Sequence, residues 1–177
     1  MNRVRAINNS GQGRGMAAFA VCSIFLLLGA AAGCFSGSHA GGVAVSWTEN
    51  SRGFGEYLAA NLIVVGAVLV LGSSCVGFFV LPMLSAVAGF VCGFVMTAAM
   101  LLSGGWSGAF MHCGWFIAIA LPVFTVLCAC AMRSSAATFR LLVAGVRPEA
   151  EALSCFIKVL MISVVLAVLL AIAAAAA

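Results

Sequence analysis

The sequence predicts an all-α protein: a polytopic bundle of about five transmembrane helices, with the N-terminus inside and the C-terminus outside. Three observations carry that reading. Of 177 residues, 65% are hydrophobic and 7% charged, and the mean hydropathy is +1.26. A water-soluble domain of this size needs far more polar surface than eight basic and four acidic side chains supply. The apolar runs are long enough to cross the bilayer, which takes about 20 residues, and inside it only helices and closed barrels satisfy their backbone. The runs are continuous rather than alternating, which excludes a barrel.

Taken in order, residues 1–15 carry Arg3, Arg5 and Arg14 with no acid, among asparagines and glycines. They are expected to form a disordered, basic cytoplasmic tail, leaving 16–177 as a single transmembrane domain. The first span is 16–35. A signal peptide is the competing reading, since Ala31-Ala32-Gly33-Cys34 resembles a lipobox. The apolar run is longer than a typical signal core, which favours a retained helix. Residues Ser36 to Tyr57 read as a Gly/Ser-rich loop with His39, Trp47, Glu49 and Arg52. The run from Leu58 to Leu102 is too long for one span at about 1.5 Å per residue. It divides near Gly72-Ser73-Ser74 into spans 58–72 and 75–102, with Pro82 as an alternative boundary. After Ser103-Gly104-Gly105 the fourth span is 106–132, and the fifth is 153–175. Between them lies a polar stretch with Arg133, Arg140 and Arg147, in which Ala137, Phe139, Leu141, Leu142 and Val146 offer an interfacial face.

Orientation follows from charge. Basic residues favour the cytoplasmic side of short loops. With the N-terminus inside, six arginines (Arg3, Arg5, Arg14, Arg133, Arg140, Arg147) lie inside and only Arg52 lies outside. Lys158, near the inner end of span five, can snorkel to the interface.

Chemistry-bearing motifs are sparse. The chain has no aspartate and one lysine, so no phosphate-binding G-x-x-x-x-G-K loop is present. No H-E-x-x-H and no G-x-S-x-G occur. Gly11-Gln12-Gly13-Arg14-Gly15 is a glycine-rich tail and not a nucleotide loop. The eight cysteines sit mostly in apolar runs and read as small, reduced hydrophobes; Cys128-x-Cys130 lacks the spacing and second pair of a zinc site. No catalytic residue, cofactor or metal is expected, and no nucleic-acid partner. Polar residues within the spans are Asn61, His112 and Lys158, each a functional candidate by position, though each also has a bland reading as an interhelical or interfacial group.

Small residues are more telling. Ser85, Gly89 and Gly93 recur every four positions, as do Gly29 and Gly33, and Gly104 and Gly108. Such faces let helices approach closely in lipid. They fit packing inside the bundle or a seam with a second copy or partner protein. Pro82 and Pro122 are expected to kink their helices.

The middle of the chain, about Glu56 to Phe139, resembles the stage II sporulation protein M family of bacterial membrane proteins. The residues that carry the likeness are Asn61-Leu62, Leu71-Gly72, Gly77, Pro82, then Gly89-Phe90-x-x-Gly93-Phe94, Pro122, Arg133 and Ala136-Ala137. Two departures stand out: Pro82 is further from Gly77 than in the family's tighter pattern, and no basic residue flanks the G-F pattern. The resemblance implies a multi-pass protein of the bacterial plasma membrane without enzymatic activity of its own. It implies an anchor or localiser for wall-degrading partners, as in septal thinning and engulfment during sporulation. A permease subunit served by a separate ATPase is the alternative from another class, with 133–151 as its coupling element.

Overall fold

The computed structural model describes residues 2–40, 54–110, 115–145 and 150–176. All the regular structure among them is helical: α1 (Asn2–Ala40), α2 (Phe54–Ser73), α3 (Gly77–Ser103), the short α4 (Trp106–Ala109), α5 (Trp115–Ala144) and α6 (Ala150–Ala176). Among the described residues, three helices are long and apolar enough to cross a membrane, through Gly15–His39, Gly77–Leu101 and Ile117–Val143. The apolar parts of α2 and α6, Asn61–Ser73 and Leu153–Leu169, are shorter.

The helices overrun the expected spans. α1 begins at Asn2, so the segment expected to be a disordered tail is helical from that residue. Once a long apolar span has paid for nucleation, each further residue costs little to add. The same helix absorbs Ser36 to Ala40, including His39, which reads in the sequence as loop. His39 closes the last turn, its Nδ1 lying 2.9 Å from the Phe35 carbonyl and its ring 4.5 Å from the Phe35 ring. Within the expected span 106–132 the described residues form α4 and, from Trp115, α5, which continues past Met132 to Ala144. Nothing from Arg133 to Ala144 breaks a helix. Termination comes at Gly145 (φ 63°), whose N–H returns to the Leu141 carbonyl at 3.1 Å, the left-handed glycine stop. Gly104 (φ 68°) ends α3 the same way. Gly104 therefore lies outside the helix that holds Gly108, and the two do not form one helical face. Residues 41–53, with Trp47, Glu49 and Arg52, lie outside the described residues, as do His112 and Arg147.

The break between α2 and α3 falls at Ser73–Gly77. Pro82 lies inside α3 and Pro122 inside α5, each without the N–H that would bond four residues back. α5 is the hub. It packs on α1, α2, α3 and α6, whereas, among the described residues, α6 packs only on α2 and α5. The core lies around Cys22, Val68, Leu81, Leu127, Cys128 and Phe156. The outward faces are apolar, with Leu28, Val70, Phe79, Met83 and Met161 each more than 60% exposed. A surface of that kind matches lipid and not water.

Hydroxyls inside this apolar setting are satisfied locally. Ser73, Ser85, Thr97, Ser103, Thr125, Thr138 and Ser163 each donate to the carbonyl four residues earlier, at 2.7–3.1 Å. This back-bonding provides a polar group with a partner on its own helix.

Candidate functional site

Three arrangements stand out, and the first is a glycine seam. The buried line on α1 runs Ala18, Cys22, Leu26, Gly29, Gly33, Gly37, at steps of three and four residues. Its counterpart on α3 runs Ser85, Gly89, Gly93. The two small-residue faces meet each other within the chain. A Cβ on Gly29 would overlap the Ala86 carbonyl, and one on Gly33 the Phe90 carbonyl. Reciprocally, a Cβ on Gly89 would overlap the Leu26 carbonyl, and one on Gly93 the Ala30 carbonyl. Further along, a Cβ on Gly37 would come within 3.0 Å of the Thr97 Cβ. Numbers rise together on both helices, so α1 and α3 run parallel. Backbones this close allow Cα–H···O contacts, each worth about 0.5–1 kcal/mol, and remove lipid from the seam. The Cys34 thiol donates across it to the Gly93 carbonyl at 3.6 Å.

The second is a hydroxyl latch at the α2–α3 turn. Ser135, fully buried on α5, accepts from the Phe78 N–H at 2.7 Å and donates to the Ser74 carbonyl at 2.6 Å. Ser74 in turn accepts from the Gly77 N–H at 3.2 Å and donates to the Leu71 carbonyl at 2.9 Å. A Cβ on Gly77 would overlap the Leu71 carbonyl and lie 3.1 Å from the Ser135 hydroxyl. One helix thus satisfies the backbone groups that a helix break leaves open. Gly15 on α1 is close by, since its Cβ would lie 3.1 Å from an Arg133 guanidinium nitrogen.

The third is a set of thiols. Cys22 and Cys128 are fully buried, as is Ser85, whose hydroxyl donates to the Leu81 carbonyl at 3.1 Å. The Cys130 and Cys155 sulfurs, on α5 and α6, stand 3.6 Å apart. Phe156, next to Cys155, lies against Ala131, next to Cys130: a Cβ on Gly72 would meet the Phe156 ring at 2.7 Å and the Ala131 Cβ at 3.0 Å. Among the described residues no three His, Cys, Asp or Glu side chains gather as a metal-binding group.

Four of the residues singled out in the sequence fall in the first two arrangements. Gly89 and Gly93 lie in the seam, and Gly72 and Gly77 flank the latch. Phe90 is exposed and Phe94 half-buried, their rings stacked at 6.3 Å. Pro82 is buried beside the core residue Leu81, Pro122 is exposed, Asn61 is half-buried on α2, and Lys158 is exposed on α6. Ser135 and the Cys130–Cys155 pair carry no sequence signal. A serine in a polar stretch and two cysteines 25 positions apart announce no meeting, and Cys130 is more easily read with Cys128.

The likeness to the stage II sporulation protein M family rests on the residues quoted for it. No family model matches the chain, and no curated protein and no solved structure matches it.

Proposed function

We propose that the chain is a multi-pass membrane scaffold that holds partner proteins at the bilayer and performs no chemistry itself. The observation that carries this reading is the α1–α3 seam. A backbone-to-backbone contact built on four glycines, with carbonyls filling the space of absent side chains, suits two helices that stay together. A permease that alternates between two openings needs helices that slide or part, and such a seam resists both.

The proposed topology is five crossings with the N-terminus inside. Its support is the direction of the helices and the position of charge. α1 and α3 are parallel. α5 opposes them, with Arg133 toward its C-terminal end beside Gly15 toward the N-terminal end of α1. One end of the bundle therefore carries the basic residues, as the cytoplasmic end does in membrane proteins. The resemblance to the sporulation family sharpens the proposal: a bacterial plasma-membrane anchor that localises a peptidoglycan-remodelling complex, the hydrolysis belonging to its partners.

Fusions to alkaline phosphatase test the topology. Activity is expected from a fusion at Ala177 and none from one at Gly145, and the reverse pattern would overturn it. For the scaffold, the chain should co-purify with wall hydrolases from detergent extracts of its own host's membranes. Gradient-driven solute flux into vesicles containing the chain alone would overturn the scaffold and revive transport.

A further inference from the structure

We propose that Cys130 and Cys155 are a modification site, a dithiol that closes to a reversible disulfide and fastens α6 to α5. Their sulfurs are 3.6 Å apart, so bonding at about 2.05 Å needs roughly 1.5 Å of approach, within the sweep of a χ1 rotation. The register is held by neighbours: Phe156 packs beside Ala131 and Gly72, which keeps the two cysteines opposite one another while they are reduced. Neither is sealed in the core, in contrast to Cys22 and Cys128, which are fully buried. Both are half-buried, and among the described residues α6, which carries Cys155, packs on α2 and α5 alone. An oxidant dissolved in the bilayer can therefore reach them without opening the α1–α3 seam.

The oxidant class this position admits is a lipid-soluble quinone. Two S–H bonds break and one S–S bond forms. The two electrons and two protons pass to the quinone, which leaves as the quinol, and a dithiol reductant restores both thiols by exchange. The effect falls on a helix held by two neighbours, α2 and α5. Reduced, α6 is held by side-chain packing; oxidised, it is covalently joined to the hub.

The test uses the full chain in phosphatidylcholine vesicles, treated with a fully substituted benzoquinone and, separately, with the membrane-permeant thiol oxidant diamide. Tryptic cleavage after Arg140, made after solubilisation, separates Cys130 from Cys155 in sequence. The two pieces are expected to stay joined until reductant is added. Cys130→Ser and Cys155→Ser should each lose the link, and Cys128→Ser should keep it. Amide exchange at Phe156 to Leu160 should slow in the oxidised chain. The exposed Cys34 reports whether the oxidant arrived. Pieces that separate without reductant while Cys34 is oxidised would overturn the site, as would a link that survives Cys130→Ser. A link with unchanged exchange would overturn the fastening. None of these outcomes depends on whether the chain is a scaffold.

Discussion

The α1–α3 pair and the α6 attachment solve the same problem with opposite materials. α1 and α3 meet backbone to backbone along about three helical turns, with carbonyls facing Gly29, Gly33, Gly89 and Gly93. α6 meets the bundle through side chains: a phenylalanine against Gly72 and Ala131, and a cysteine opposite a cysteine. In lipid there is no hydrophobic driving force between helices, so closeness itself must provide the attraction. Glycine gives more closeness than any side chain can. It also gives no adjustability, since every missing Cβ is already occupied by a carbonyl. The side-chain interface leaves room for adjustment, and it belongs to a helix held by two neighbours, α2 and α5.

Breaking the glycine seam should have the largest effect. Gly89→Leu with Gly93→Leu drives two side chains into the Leu26 and Ala30 carbonyls; with overpacking costing about 1–3 kcal/mol per site or more, little folded protein should survive. Yield and melting in detergent measure it, and unchanged values would mean that α1 and α3 do not pack as described. Phe156→Ala should be next. It empties the contact with Gly72 and Ala131, at a cost of about 3 kcal/mol by analogy with core truncations, and should loosen α6 while leaving α1–α3 intact. Amide exchange resolved by helix distinguishes local from global loosening.

Ser135→Ala should cost about 1–3 kcal/mol, because it leaves the Phe78 N–H and the Ser74 carbonyl without their partner in an apolar setting. Its effect should centre on the α2–α3 turn. Equal protection of Cys75 from maleimide in variant and parent would argue against the latch. Smallest is Ser163→Ala. The hydroxyl there bonds only to its own helix, at Val159, and its loss removes donor and contact together, so melting should move by less than the spread expected of a surface change, about 0.5 kcal/mol.

What the sequence made legible follows the same division. Helical class, the break near Ser73 and the small-residue faces on Gly29/Gly33 and Gly89/Gly93 are readable from composition and four-residue spacing. Spacing gives a face, and it does not name the partner, because lipid and a neighbouring helix are both apolar. The seam between two known faces therefore had to be seen. Beyond the Ser73 break, a helix end was legible at Gly104, in the expected Ser103-Gly104-Gly105 turn, and not at Asn2, Ala40 or Ala144, because the helices continue past the points where hydropathy changes. The latch was illegible because Ser135 looks like a residue of a polar linker. Its use depends on a turn 61 positions earlier.

The parallel pairing of α1 and α3 has a consequence in time. Gly29 meets the Ala86 carbonyl, and Ala86 emerges 57 residues after Gly29. At ~5–20 residues per second of synthesis, the first helix waits about 3–11 s with its glycine face bare before its mate exists. α2, made in between, does not pack on α1 among the described residues and provides no temporary cover there. Through that interval the nascent chain depends on the insertion machinery, or on lipid alone, to keep α1 from pairing with a stranger.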